Sequence, residues 1–270
     1  MDFSAISARG LVLLGCGKMG SAMLAGWLAR GLPATAVWVL DPQPSDWVKA
    51  QGVHLNAPLP VRPAVVLVAV KPQMMGAALP TLKAMGGGDT LFVTIAAGTT
   101  IATYEAVLGA ATPLVRAMPN TPAAIGKGIT ALCGNAAATP ADLATAEGLL
   151  AVIGKVERLA GEHQMDAVTA LSGSGPGYVF HLIEAMAAAG AAEGLPADLA
   201  MRLAIATVAG AGVLAEVAAE SPAQLRRNVT SPAGTTEAGL KVLMEPETGF
   251  PGLMRRAVAA AAARGRELGK

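Results

Sequence analysis

Short, unbroken apolar runs alternate with helical stretches and glycine- or proline-rich breaks through the first half of the chain. Leu11–Leu14 is such a run, as expected of a parallel strand buried on both faces. Gly15-Cys16-Gly17-Lys18-Met19-Gly20 follows, and 21–30 reads as a helix. Further strands are predicted over 36–40, 65–70, 91–95, 114–118 and 128–133, with a helix over 74–85. Thr139-Pro140 resembles an N-cap followed by proline at the first helical position, opening a helix to about 152. After a last strand near 155–159 the pattern turns wholly helical, over 178–193, 197–216, 222–228, 235–244 and 252–268. The reading is an α/β chain, with a doubly wound nucleotide-binding sheet over 1–160 and an all-helical domain over 161–270.

Three junctions carry the candidate chemistry. In the first, Gly15 permits a tight turn, Gly17 lets the backbone approach a pyrophosphate, and Gly20 lets the helix pack against the strand. Asp41 closes the next strand about 20 residues on, as a dinucleotide fingerprint expects. A bare glycine turn also arises for structural reasons, but here a strand, a helix and an acid surround it. Small residues and a proline at later strand ends, Ala69-Val70-Lys71-Pro72 and Ala96-Ala97-Gly98, leave room for a flat ligand at the carboxyl edge of the sheet. Lys71 reads equally well as a solvated strand-end charge. Asn120 and Thr121 sit in a proline-stiffened extended run that is either a rigid connection or a ligand wall.

The other two junctions suit a small acidic substrate. LSGSGPGYVF (171–180) and SPAGTTEAGL (231–240) each place hydroxyls and glycines where a loop becomes a helix. Unpaired first-turn amides and the positive end of the helix dipole can hold a carboxylate there. Ser231 reads equally as an N-cap for the following helix.

Composition narrows the classes. Of 270 residues 53% are apolar, yet only 3% are aromatic, so alanine, glycine and valine make up several helix faces. Helices apolar most of the way round need cover on several sides, and a second subunit is the natural cover. The formal net charge is +1 with both signs mixed, which argues against a nucleic-acid partner. The uncharged run over 203–215 is shorter than the roughly 18–20 residues of a membrane span, and no signal-peptide core precedes the first strand, so a soluble cytoplasmic protein is expected. Cys16 and Cys133 are expected as reduced thiols. His54, His163 and His181 are scattered without metal spacing, so no metal is expected, and a cofactor-borne reaction suits this poverty of catalytic side chains.

The blocks LLGCGKMGSAMLAG, VAVKPQ, TIAAGTT, RAMPNTPAAIGKG, DAVTALSGSGPGYVFHLIEAM and RNVTSPAGTTEAGLKVL, in this order, resemble the pyrroline-5-carboxylate reductases over nearly the whole chain. The resemblance implies a Rossmann domain and a helical dimerisation domain, with the active site between them. It also implies hydride transfer from NADPH or NADH to the cyclic imine of Δ1-pyrroline-5-carboxylate, giving L-proline. By resemblance, Gly15, Cys16, Gly17, Lys18, Met19 and Gly20 take the pyrophosphate. Asp41, Ala69, Val70, Lys71, Pro72, Ala96, Ala97 and Asn120 complete the cofactor set. Backbone amides of the Gly234, Thr235 and Thr236 turn hold the substrate carboxylate, and the Thr236 hydroxyl serves the ring nitrogen. Glu162, Ser172, Ser174, Gly175, Asn228 and Ser231 are further candidates for the proline-binding set.

Three departures stand out. The chain reads SPAGTT where the family usually has SPGGTT, so Ala233 restricts the turn unless its φ is negative. Ala64 replaces an aspartate before the strand over 65–70. Asp41 favours a ribose 2′-hydroxyl over a 2′-phosphate, against the family's usual NADPH, and both cofactors stay open. Two other readings compete. A β-hydroxyacid dehydrogenase would need a lysine on the helix from Tyr178, which offers only His181 and Glu184. A nucleotide sensor without chemistry fits poorly with Asn120, Ser174, Thr235 and Thr236 together.

Overall fold

The computed structural model describes residues 2–269 and divides into two compact units. The first runs to Gly173 and takes in the chain from Ala262 onward; the second is Ser174–Ala261. The sequence placed the boundary near 160. The intervening segment stays with the sheet because Met165 and Ala170 are buried in the first unit.

The first unit opens with α1 (Ser4–Arg9), β1 (Leu11–Leu14), α2 (Lys18–Ala29) and β2 (Val37–Leu40). Next come α3 (Asp46–Lys49), β3 (His54–Leu55), β4 (Val65–Val68), α4 (Pro72–Ala78), β5 (Leu91–Thr94) and α5 (Ile101–Leu108). It closes with β6 (Leu114–Met118), β7 (Gly128–Gly134), α6 (Pro140–Leu150), β8 (Gly154–Arg158) and α7 (Met165–Val168). The eight strands lie in the order β3-β2-β1-β4-β5-β6-β7-β8, and every pair is parallel except β6 with β7. Chain order reverses between β1 and β4, which puts a crevice at their carboxyl ends.

The apolar runs are unbroken because both faces of the sheet are covered. Leu11 and Leu13 join one buried cluster with Trp27, Val37 and Leu149, while Val12 and Leu14 join another with Phe92, Tyr104 and Leu79. Trp27 is fully buried and its indole N–H donates to the Leu149 carbonyl at 2.8 Å, so the large ring leaves no unpaired polar atom inside. The expected Thr139 cap is present: its hydroxyl accepts from the Asp142 amide, and Asp142 reaches back to the Thr139 amide at 2.8 Å.

The helix expected over 74–85 differs. It is α-helical over Pro72–Ala78 and 3-10 over Leu79–Met85, because Pro80 has no N–H to continue the ladder. The run after Asn120 is not extended throughout; a 3-10 turn over Thr121–Ile125 follows. His54 stacks on Trp38 with ring centroids 4.4 Å apart, and His181 faces Glu184 at 3.2 Å.

The second unit contains α8 (Gly175–Ala192), α9 (Ala197–Val217), α10 (Pro222–Asn228), α11 (Thr235–Leu243) and most of α12 (Phe250–Leu268). Ala187, Ala200 and Ala204 are buried where α8 packs on α9, and small side chains bring these backbones close. Larger apolar side chains face outward, with Phe180 59%, Ile205 49%, Leu214 52% and Val217 72% exposed. At 21 residues α9 is long and apolar enough to cross a membrane, which overturns the length argument drawn from 203–215; the helix continues through the charged positions Asp198, Arg202 and Glu216.

Burial raises the Cys133 thiol from 9.0 to about 11 and the Tyr104 phenol from 10.0 to about 12. Between those limits the folded protein keeps protons that the unfolded chain has released. Stability is therefore whole below pH 9 and declines as pH climbs through 9–12. Cys133→Ala should flatten the part of that decline between pH 9 and 11, worth roughly 2–3 kcal/mol. Melting curves across this range check it, and an unchanged slope in the variant would count against the buried thiol.

Candidate active site

The turn from β1 into α2 is built from backbone. Gly15 holds φ +89°, and a Cβ there would meet Val70 Cγ1 at 2.9 Å. A Cβ on Gly20 would stand 2.6 Å from the Gly15 carbonyl oxygen, so the helix can begin this near the strand only with glycine. Gly17, the N-cap, has no atom within 4 Å of where a Cβ would lie, which leaves its surface open to a ligand. The helix starts at Lys18 rather than 21, so the first-turn amides belong to the glycine loop itself. These three environments fit the pyrophosphate of a dinucleotide. Lys18 is exposed, Met19 is half-buried against the core, and Cys16 is buried with its thiol pKa raised by that burial.

Asp41 stands at the end of β2. Its carboxylate accepts from the Cys16 amide at 2.7 Å and from the Gln43 amide at 2.8 Å, so it also ties the glycine loop to the second strand. Asn56, in the left-handed region at φ 50°, pairs with both backbone groups of Asp41. At the neighbouring strand ends, Ala69 donates to the Leu14 carbonyl at 2.7 Å and Val70 packs beside Gly15. Lys71 is the N-cap of α4 with an exposed side chain, and Pro72 is the first helical residue.

After β5 the loop of Ala96, Ala97 and Gly98 is held from both sides. Thr94 Oγ1 accepts from the Ala96 amide at 3.3 Å and pairs with the Tyr104 hydroxyl at 2.5 Å. Glu162 Oε1 accepts from the Ile101 amide at 2.8 Å and from Arg116 Nη1 at 2.5 Å. Arg116 is 5% exposed. Sequence reasoning quoted Arg116 in a motif and gave it no role; a lone arginine inside an apolar strand was the available signal. Asn120 accepts from the Ile129 amide at 3.0 Å and donates to Ser172 Oγ at 3.4 Å, so two candidates from distant blocks meet. Ser172 lies in a π-helical turn over Thr169–Gly173, an irregularity frequent at functional sites.

In the second unit, Ser174 precedes α8 and Gly175 begins it, with no side-chain cap. Asn228 ends α10; its amide group accepts from Gln224 at 2.6 Å and donates to Glu220 at 3.3 Å. Glu220 had no place in the sequence reading. Ser231 is not the N-cap of α11, for Gly234 holds that position with φ −82° and ψ 168°. Ser231 instead starts the preceding turn, its carbonyl accepting from the Gly234 amide at 3.0 Å. Pro232 and Ala233 occupy the corner, and Ala233 sits at φ 57°, so the restriction feared from SPAGTT is real. Thr235 and Thr236 open α11, both exposed, and Gly234 contributes no side chain to their amides. Among the described residues no group of three or more His, Cys, Asp or Glu side chains could hold a metal.

A parallel strand, a glycine turn, a helix and a strand-end acid define a Rossmann-type dinucleotide-binding protein, here with a helical second unit. Residues 162–268 match the family described as pyrroline-5-carboxylate reductase dimerisation, and 10–98 match NADP oxidoreductase coenzyme F420-dependent. The chain belongs to the pyrroline-5-carboxylate reductase family. It is similar to the pyrroline-5-carboxylate reductase of Pseudomonas aeruginosa, 40% identical over 97% of this chain and 98% of that one. Among solved structures it is similar to that of Coxiella burnetii at TM-score 0.90 and 33% identity, covering 97% and 99% of the two chains. It is also similar to the Plasmodium falciparum pyrroline carboxylate reductase with NADP bound, at TM-score 0.82 and 27% identity, covering 98% and 99%. The β-hydroxyacid dehydrogenase alternative gains nothing, since α8 carries no lysine.

The strain at Ala233 is measurable. Ala233→Val forces a β-branched residue into the left-handed region and should cost about 1–3 kcal/mol, whereas Ala233→Gly should change stability by less than about 1 kcal/mol. Urea unfolding of the two variants checks the ordering; equal stabilities would show that the turn relaxes to negative φ.

Proposed function

We propose that the protein reduces the C=N bond of Δ1-pyrroline-5-carboxylate to L-proline, working as a homodimer in the cytoplasm with NADPH or NADH as donor. The observation that carries this reading is the uncapped start of α11: extended Gly234 followed by two exposed threonines on a tight Pro232-Ala233 corner. First-turn amides and the positive helix end there suit the substrate carboxylate. Thr236 places a hydroxyl one turn position on, where it hydrogen-bonds the ring nitrogen. A bound reduced nicotinamide supplies the hydride that the C=N carbon accepts.

The chain's own contribution is orientation and proton placement. An imine is more electrophilic once its nitrogen is protonated, so the substrate binds as the iminium or receives its proton through Thr236 and water. A neutral hydroxyl is a poor acid but a good orienting partner, and holding the ring in reacting geometry is where most of the rate gain arises. The glycine loop from Gly15 to Gly20 would hold the pyrophosphate, with Ala69 to Pro72 and Ala96 to Ala97 flanking the nicotinamide and Asn120 completing the wall. Asn228, fixed by Gln224 and Glu220, joins the set assigned to the substrate. Ser172, Ser174, Gly175 and Ser231 complete that set. The mixed charge, net +1, supports a small-molecule partner over nucleic acid.

The exposed apolar faces of α8 and α9 support self-association over membrane insertion, since the matched family region is described by its dimerisation. Leu214→Glu should lower the mass by light scattering from twice 26.9 kDa, or a multiple of it, to the single chain. An unchanged assembly would move the interface off this face.

Thr236→Ala should lower kcat/KM by roughly 10–1,000-fold, about 1.4–4 kcal/mol of transition-state stabilisation, and Thr236→Ser should recover most of it. An unchanged kcat/KM would remove Thr236 from the reaction. Mixing the wild type with pyrroline-5-carboxylate and NAD(P)H separates enzyme from sensor: absence of nicotinamide oxidation would favour a sensor. Asp41 places a negative charge at the end of β2, so Asp41→Ser should raise the NADPH-to-NADH ratio of kcat/KM by about tenfold, near 1.4 kcal/mol. Initial rates with each cofactor read it, and an unmoved ratio would clear Asp41 of any part in cofactor choice.

A further inference from the structure

We propose that Arg116 and Glu162 are positioning residues for the nicotinamide end of the cofactor, acting by clamping the 95–100 loop between β5 and α5. The proposal rests on the reading that Ala96 and Ala97 flank the nicotinamide. It gives Glu162 a different task from the substrate ligand expected of it from the sequence.

Of the 95–100 loop's own side chains Thr99 is buried and reaches Tyr104, and the stretch before it is less well held. Ala96, Ala97 and Gly98 carry no polar side chain, and Gly98 turns through φ +73°. Its position is set from below. At the entry, Thr94 accepts from the Ala96 amide and is paired in turn with the fully buried Tyr104. At the exit, the Ile101 amide at the start of α5 donates to Glu162, 61 residues away in sequence. Ile101 follows the N-cap Thr100, whose hydroxyl already serves the Thr103 amide, so Glu162 satisfies a second first-turn donor.

Arg116 is the partner that fixes this carboxylate. It is the register partner of Thr94 across the β5–β6 ladder, so both loop anchors spring from one point of the sheet. Its guanidinium is almost wholly buried and meets the same Glu162 oxygen as the Ile101 amide. A buried arginine needs a fixed counter-charge, and removing one partner leaves the other uncompensated. The field of this pair reaches the buried core beside it: Arg116 acts on Tyr104, and both Arg116 and Glu162 act on Cys133. A loop displaced by about 1 Å is enough to cost a reaction on the order of 100-fold, so a clamp behind the loop can govern turnover.

The test separates cofactor from substrate. Binding of NADH and NADPH is titrated by fluorescence, without substrate, on Glu162→Ala, Glu162→Gln, Arg116→Met and the Arg116→Met/Glu162→Gln double variant; KM for pyrroline-5-carboxylate is measured at saturating cofactor. Glu162→Ala and Arg116→Met should weaken dinucleotide binding by about tenfold or more, with substrate KM within about threefold of wild type. The double variant removes both charges yet keeps an acceptor for the Ile101 amide, so it should bind dinucleotide more tightly than Arg116→Met alone. Dinucleotide binding at wild-type strength in the single variants overturns the proposal. A raised substrate KM with unaltered dinucleotide binding also overturns it and returns Glu162 to the substrate. If Glu162→Ala fails to fold, the Glu162→Gln, Arg116→Met and double-variant comparison decides alone. Because the titration needs no substrate, it tests the clamp even if the wild type proves inactive on pyrroline-5-carboxylate.

Discussion

The close approach of Gly20 to the Gly15 carbonyl governs the nucleotide-binding half of this protein. A methyl group at Gly20 would stand at 2.6 Å from that oxygen, so α2 could not start where it does. With the approach in place, the first-turn amides of α2 point into the crevice at the β1–β4 reversal, and Asp41 can hold the Cys16 amide from the next strand. The loops at β4 and β5 continue the same principle. Small residues make up these loops, and Thr94, Tyr104, Arg116 and Glu162 fix the position of the second.

In the second unit α11 starts without a side-chain cap, and Ala233 just before it holds a left-handed conformation that glycine adopts more readily. Glu237 eases the corner by accepting from the Ala233 amide at 2.7 Å. The alanine-rich α8 and α9 trade core volume for near backbone contact, and their outward Phe180, Ile205, Leu214 and Val217 remain uncovered in one chain. α9 is long and apolar enough to cross a membrane, and it lies within the region that matches a family described by its dimerisation.

Legibility in the sequence followed the strength of local constraint. Strands buried on both faces, the Thr139-Asp142 capping box and the glycine turn all wrote themselves into residue type at fixed spacing. The helix over Ile101–Leu108 was signalled by Thr100 and by Gly109, whose φ is 91°, but its short apolar stripe hid behind the preceding threonines. α1, α3 and β3 span only six, four and two residues, too few for a period to register. Ser231 offered a cap by residue type, but with Pro232 and Ala233 at the corner the cap falls to Gly234, three residues on.

By itself, then, the sequence determined the α/β class, the order of the strands along the chain, the glycine cradle and the hydroxyl-rich helix starts, because each depends on neighbours within a turn or two. Only the tertiary structure decided that Glu162 meets Arg116 and the Ile101 amide, that Asn120 meets Ser172, and that Asp41 braces the glycine loop. Those contacts join residues 25 to 61 positions apart. Their partners are chosen by strand order and by the need of a buried charge for a counter-charge, neither of which local residue pattern encodes.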